Sequence, residues 1–116
     1  MTLFATTKDM VEEAEKFGQT LAGAGLKAHQ LRRVYEKIQC IYEGTQNLER
    51  LGKRDVAELQ LLKPWLAYAA SRKSQLKALQ QRLKDLIDKV KDDPKELQEL
   101  YHFVQAILAY HKSYEK

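Results

Sequence analysis

Catalysis and metal binding need His, Cys or carboxylate groups held within reach of one another. This chain of 116 residues offers three His, one Cys and sixteen Asp and Glu for the purpose. Glu99 and His102 form one ExxH at i, i+3, half of the ligand pattern of a bundle di-iron centre. Such a centre needs a second ExxH and two further Glu on facing helices, and no second ExxH occurs. His102 is therefore expected to be a partly exposed surface residue, with no metal and no cofactor. Cys40 sits among Ile38, Ile41 and Tyr42 with no base to activate it, so a buried or boundary thiol is expected. His29, close to Lys27, suits either phosphate contact or plain surface filling. His111 suits packing, or capping of a last turn where an imidazolium meets the negative helix end. There is no Gly-rich phosphate loop, no HExxH and no adjacent His–Asp pair. No catalytic residue is assigned, and the chain reads as a non-enzyme.

Contact with a polyanion is better supported. Residues 27–84 carry thirteen Lys and Arg against five acids, a net +8, whereas the segments on either side each carry −2. Lys or Arg that neutralises a phosphate also releases its condensed counterions. The basic block holds Lys27, Gln30, Arg32, Arg33 and Lys37, then Lys53, Arg54, Lys63, Tyr68, Arg72 and Lys73. Arg and Lys bind phosphate, Gln reaches sugar or base edges, and Tyr stacks on unpaired bases. Gln30, Arg33 and Lys37, spaced three and four apart, share one helical face. A well-solvated basic face is the alternative. Tyr35 and Tyr42 lie on the apolar stripe and read as core, and Trp65 beside Pro64 reads as a packing anchor, with stacking on a base or a partner as the alternative.

The elements that must position these residues are all helices. Apolar residues recur at alternating intervals of three and four, and no segment alternates with period two. The expected architecture is all-α: a small bundle of about five helices forming a single helical domain over residues 1–116. The first helix spans about 7–22, capped by Thr6 or Thr7 and ended by Gly23 and Gly25, with Met10, Ala14, Phe17 and Leu21 buried. The second spans about 28–51, its stripe running from Leu31 through Tyr42 to Leu48, with Gly52 as its stop. Asp55 and Glu58 read as a capping box for the third, which Pro64 kinks or breaks. Leu76, Leu79, Leu83, Leu86 and Val90 make a short seam able to pack within this chain or on a second copy. Asp93, Pro94 and Glu96 open a last helix running to about Tyr114. A lone cysteine permits no intramolecular disulfide, and no apolar run approaches the roughly 18 residues of a membrane span. Met1 to Phe4 lacks the regions of a secretory signal, so a cytoplasmic protein with no membrane partner is expected.

Three segments resemble the small subunit of the type III-A CRISPR (Csm) interference complex. His29-Gln30-Leu31-Arg32-Arg33-Val34-Tyr35 is similar to that family's Gln-[Ile/Leu]-Arg-x-[Phe/Tyr] pattern. Leu62 to Arg72 looks like its Leu-x-Pro-x-Leu-Ala-Tyr-Ala-x-x-Arg signature, and Phe103 to Lys112 like its closing Ala-Ile-x-Ala-Tyr-His stretch. Order and spacing agree over about residues 3–114, although Ser71 stands where the family often has Gly. The resemblance implies a non-catalytic subunit that self-associates in several copies beside other Csm subunits and lies against the CRISPR RNA/target RNA duplex. Nuclease and nucleotide-cyclising activities would belong to other subunits. By motif match it implies Gln30, Arg32, Lys63 and Arg72 as RNA-facing; Lys27, Arg33, Lys37 and Lys73 join them from charge and helical geometry alone. The rival reading is a structural adaptor that makes only protein contacts through the Leu76–Val90 seam. A metal-dependent enzyme using Glu99 and His102 is the third.

Overall fold

Four of the five described helices begin where a side chain satisfies an orphan backbone donor; the fourth in chain order instead continues from a 3₁₀ turn. In the computed structural model, which describes residues 3–115, Thr6 Oγ1 accepts the Asp9 N–H at 3.0 Å and opens α1 (Thr7–Gly23). Met1 and Thr2, part of the segment read for a leader, and Lys116 lie outside the described residues. Helix α2 (Ala28–Glu43) starts with Gln30 Oε1 accepting the Lys27 N–H at 3.1 Å. Helix α3 (Lys53–Arg72) starts with Asp55 Oδ2 accepting the Gly52 N–H at 3.1 Å. A 3₁₀ turn (Ser74–Leu76) leads into α4 (Lys77–Val90), and Asp93 Oδ1 accepts the Lys95 N–H at 2.9 Å to open α5 (Pro94–Tyr114). Five α-helices and no strand are found among the described residues, the all-α bundle that the periodicity predicts.

Helix α5 is the central element, lying along α1 and α2 and touching α4, while α3 pairs with α4 and also meets α2. Leu97, Leu100, Phe103, Val104 and Ile107 are completely buried along it. Helix α1 approaches closely enough that a Cβ built on Gly18 would lie 2.6 Å from the Tyr110 Cβ and 2.8 Å from the His111 backbone N. The end of α1 is a Schellman closure: Leu26 N–H reaches the Leu21 carbonyl, Gly25 N–H reaches Ala22, and Gly25 takes φ +82°. That closure turns Leu26 inward, where its carbonyl accepts the Nε2–H of the fully buried His111 at 2.7 Å. His111 therefore packs as a bolt between the α1–α2 connection and α5, and does not cap the last turn.

Several boundaries differ from the expected ones. Helix α2 stops at Glu43, eight residues before the expected 51, and Leu48 is 43% exposed in the following loop. Gly44 and Asn47 are poor helix formers, Asn47 takes φ +70°, and the Thr45 hydroxyl donates to the Tyr42 carbonyl at 2.8 Å, closing the helix from its own side chain. Gly52 is the N-cap of α3 and not the stop of α2, and Asp55 serves as the third helical residue that reaches back to it. Helix α3 runs through Pro64 as one element, which removes the expectation of a break there. Gln60 and Pro64 are both exposed, so water can reach the carbonyl that loses its donor. Leu76, Leu79, Leu83, Leu86 and Val90 are all buried in this chain's own core. The seam proposed as an adaptor's interface is thus consumed internally. No described helix is long and apolar enough to cross a membrane.

Candidate nucleic-acid interface

On α2, the stripe Leu31, Val34, Ile38 and Ile41 is buried, which turns the neighbouring face of the same helix toward α3. Gln30 and Arg33 on that face meet Trp65, Tyr68, Ala69 and Arg72 of α3, with Lys73 and Leu76 closing the end. These residues line a cleft of about 380 Å³. Beside the cations its lining is apolar and aromatic: Trp65, Tyr68, Ala69 and Leu76. Trp65 is half-buried and packs against the core, whereas Tyr68 is 63% exposed. One turn along α2, Lys37 Nζ stands 5.1 Å from the Trp65 ring centroid, a cation–π contact that covers one region of the indole. Arg72 Nη1 lies 3.4 Å from the Tyr68 hydroxyl, a long hydrogen bond that aligns both side chains along α3.

Every ionisable side chain bordering the cleft with a charge at neutral pH is a cation: Arg33, Arg72 and Lys73, with no acid in the lining. None of the three takes part in an ion pair among the described residues. By contrast, Arg82 donates to both Glu13 carboxylate oxygens at 2.6 and 3.0 Å, and Arg50 pairs with Asp92 at 3.0 Å. Like charges converging without a counter-charge repel, and an anion relieves that repulsion.

Four of the eight residues expected to face RNA, Gln30, Arg33, Arg72 and Lys73, line this one cleft; Lys37 contacts Trp65 but lines a neighbouring cavity with Cys40 and Glu58. Lys27 is exposed at the start of α2. Arg32 is exposed but does not line the cleft, since it lies about 100° around α2 from Arg33. Lys63 is engaged by Asp88 of α4, a contact between helices that a sequence reading cannot see. Of the remaining basic block, Arg54 pairs with Glu58 on its own helix at 3.3 Å.

Cys40 is exposed, contrary to the expected buried or boundary thiol. It is next to apolar residues in sequence but lies two positions from Ile38, about 200° around the helix from it. Tyr35 and Tyr42, expected in the core, are half-buried and stack on Tyr101 of α5 with ring centroids 5.6 and 4.5 Å away. The Tyr35 and Tyr101 hydroxyls are 3.0 Å apart, and this hydrogen bond, helped by burial, pushes the Tyr101 hydroxyl above its ordinary range. His29 and His102 are exposed, and Glu99 accepts the Leu3 N–H at 3.3 Å. Sequence reasoning singles out Trp65, Tyr68 and Arg72 one by one but misses that, with Leu61, they form a second stripe of α3 at intervals of four, three and four. That spacing is visible in the sequence, but the Leu59–Leu62–Leu66 core stripe on the same helix masks it.

A family model described as Csm2 Type III-A matches residues 5–116. No curated protein matches the chain.

Proposed function

The chain belongs to the Csm2 Type III-A family, the small subunit of the type III-A CRISPR complex, and from that premise we propose that it is a non-catalytic RNA-binding subunit. Membership implies association with other Csm subunits. The α2–α3 face would hold the sugar-phosphate backbone of the CRISPR RNA/target RNA duplex without reading sequence, several copies stacking along it. Base pairing between guide and target would then supply the specificity. The observation that carries this reading is the convergence of Arg33, Arg72 and Lys73, from two helices, on a cleft whose lining contains no acid. Lys27, Arg32 and Lys37 extend the same positive helix on either side, and Gln30 adds an amide donor. Lys63, already held by Asp88, contributes least.

The test is fluorescence-anisotropy binding to unrelated single-stranded RNAs and to an RNA duplex across a salt series, with an Arg33→Ala/Arg72→Ala variant alongside. Binding should be indifferent to sequence and fall with salt. Each phosphate contact on a single strand contributes about 0.7 to the slope of log affinity against log salt, so losing two should flatten it by roughly 1.4. Loss confined to one sequence, or an unchanged slope, would refute the reading; unchanged RNA affinity in the variant is the outcome an adaptor would give.

A further inference from the structure

A surface that only tracks phosphates has no use for an aromatic lining. Phosphate oxygens need donors and positive charge, which Arg33, Arg72 and Lys73 supply. The same cleft is lined by Trp65, Tyr68, Ala69 and Leu76, and Tyr68 keeps 63% of its surface in solvent. Leaving a phenol so exposed beside an indole, in a cleft ringed by unpaired cations, costs solvation that a stacked π-system would recover. At about 380 Å³ the cleft is at the small end of the range for sites that take one compact ligand, and a duplex cannot enter it.

Resting on the RNA-binding reading above, we infer that the α2–α3 cleft captures a single unpaired nucleobase, stacked on Tyr68 and Trp65, while Arg33, Arg72 and Lys73 hold the phosphates on either side of it. Gln30 supplies the hydrogen bond at the base edge. Its Oε1 is occupied by the Lys27 N–H, which leaves the Nε2 amide as a donor. All four RNA bases carry an acceptor on the edge they use for pairing, so a lone donor accepts any of them. The pocket is therefore indifferent to sequence but sensitive to whether a base is free of the stack. Lys37, over the Trp65 ring, helps fix the indole.

Trp65 is the chain's single tryptophan and reports on the cleft directly. The experiment titrates the full chain with three RNA duplexes of one sequence: fully paired, carrying a one-nucleotide bulge, and carrying the same bulge without its base. Affinity is read by anisotropy and occupancy by Trp65 emission. The bulged duplex should bind about fivefold more tightly than the paired one, or better, and alone should quench Trp65. Tyr68→Ala should abolish the bulged-to-paired ratio, which factors out any loss common to both RNAs, and Tyr68→Phe should restore it. An unaltered helical circular-dichroism spectrum of Tyr68→Ala, whose side chain is mostly exposed, would show that the fold is intact. Equal affinity for bulged and paired RNA with unmoved emission would overturn the inference while leaving the phosphate-tracking reading standing, and the cleft would then await a protein side chain. Equal gain from the base-free bulge would also overturn it, since a bent backbone would suffice. No binding to any of the three would defeat both proposals.

Discussion

Placing a methyl group on Gly18 sets two effects of known size against each other. Gly18 is buried in the middle of α1, where Gly→Ala ordinarily stabilises a helix by about 1 kcal/mol through backbone entropy. Here the new Cβ would lie 2.6 Å from the Tyr110 Cβ and 2.8 Å from the His111 backbone N. Neither atom belongs to the end of a flexible side chain, so a rotamer change cannot relieve the overlap. To restore ordinary contact near 3.4 Å, α1 and α5 must separate locally by about 0.8 Å. That loosens the packing of Ala14 and Leu21 and strains the 2.7 Å contact between His111 and the Leu26 carbonyl. Overpacking of this kind costs about 1–3 kcal/mol before backbone resistance is added, so the clash outweighs the propensity gain. Gly18→Ala should lower stability by about 1–2 kcal/mol, or Tm by roughly 4–8 °C in a chain of this size. Gly23, at the end of the same helix, has nothing within 4 Å of its built Cβ, so Gly23→Ala should stabilise by up to about 1 kcal/mol. Thermal unfolding followed by far-ultraviolet circular dichroism compares the pair. A Gly18→Ala variant as stable as Gly23→Ala would refute the close α1–α5 approach.

Two further outcomes follow from the buried carboxyl and the exposed thiol. Burial first, and the charge of Glu99 second, push the Glu96 carboxyl above its ordinary value of 4.5. The folded state then holds that proton more tightly than the unfolded one, so stability from this group is present below the unfolded value and lost as pH rises through the folded one. Glu96→Gln should lessen the decline in urea-unfolding free energy as pH rises from about 4.5 through that interval, and an unchanged pH profile would count against it. Cys40, exposed on α2, should react with a thiol-specific chromogenic disulfide in the native protein as fast as after unfolding in urea; protection by more than about tenfold would show that the thiol is buried after all.

The helices themselves are largely a property of local sequence. The all-α class, the Thr6 cap, the Asp93–Pro94 start of α5 and the buried Leu76–Val90 stripe rest on hydrogen bonds and spacings within a few residues, which the chain carries before it folds. Where local signals compete, periodicity alone misplaces helix ends. The apolar rhythm continues through Leu48, yet Gly44, the Thr45 hydroxyl and Asn47 close α2 at Glu43, and Asp55 works as a back-reaching partner of Gly52. The same division holds for the candidate interface. That Gln30, Arg33 and Lys37 share a face follows from 3.6 residues per turn. Their meeting with Trp65, Tyr68, Arg72 and Lys73 depends on how α2 and α3 dock. The pairing of Lys63 with Asp88 likewise depends on the α3–α4 contact. Most helix starts, the helical class and the charge pattern are written into local sequence, because they follow from short-range geometry and composition. Helix docking settles which cations gain a carboxylate partner on another helix and which aromatic side chains share a cleft with cations, because both depend on contacts between residues far apart in the chain.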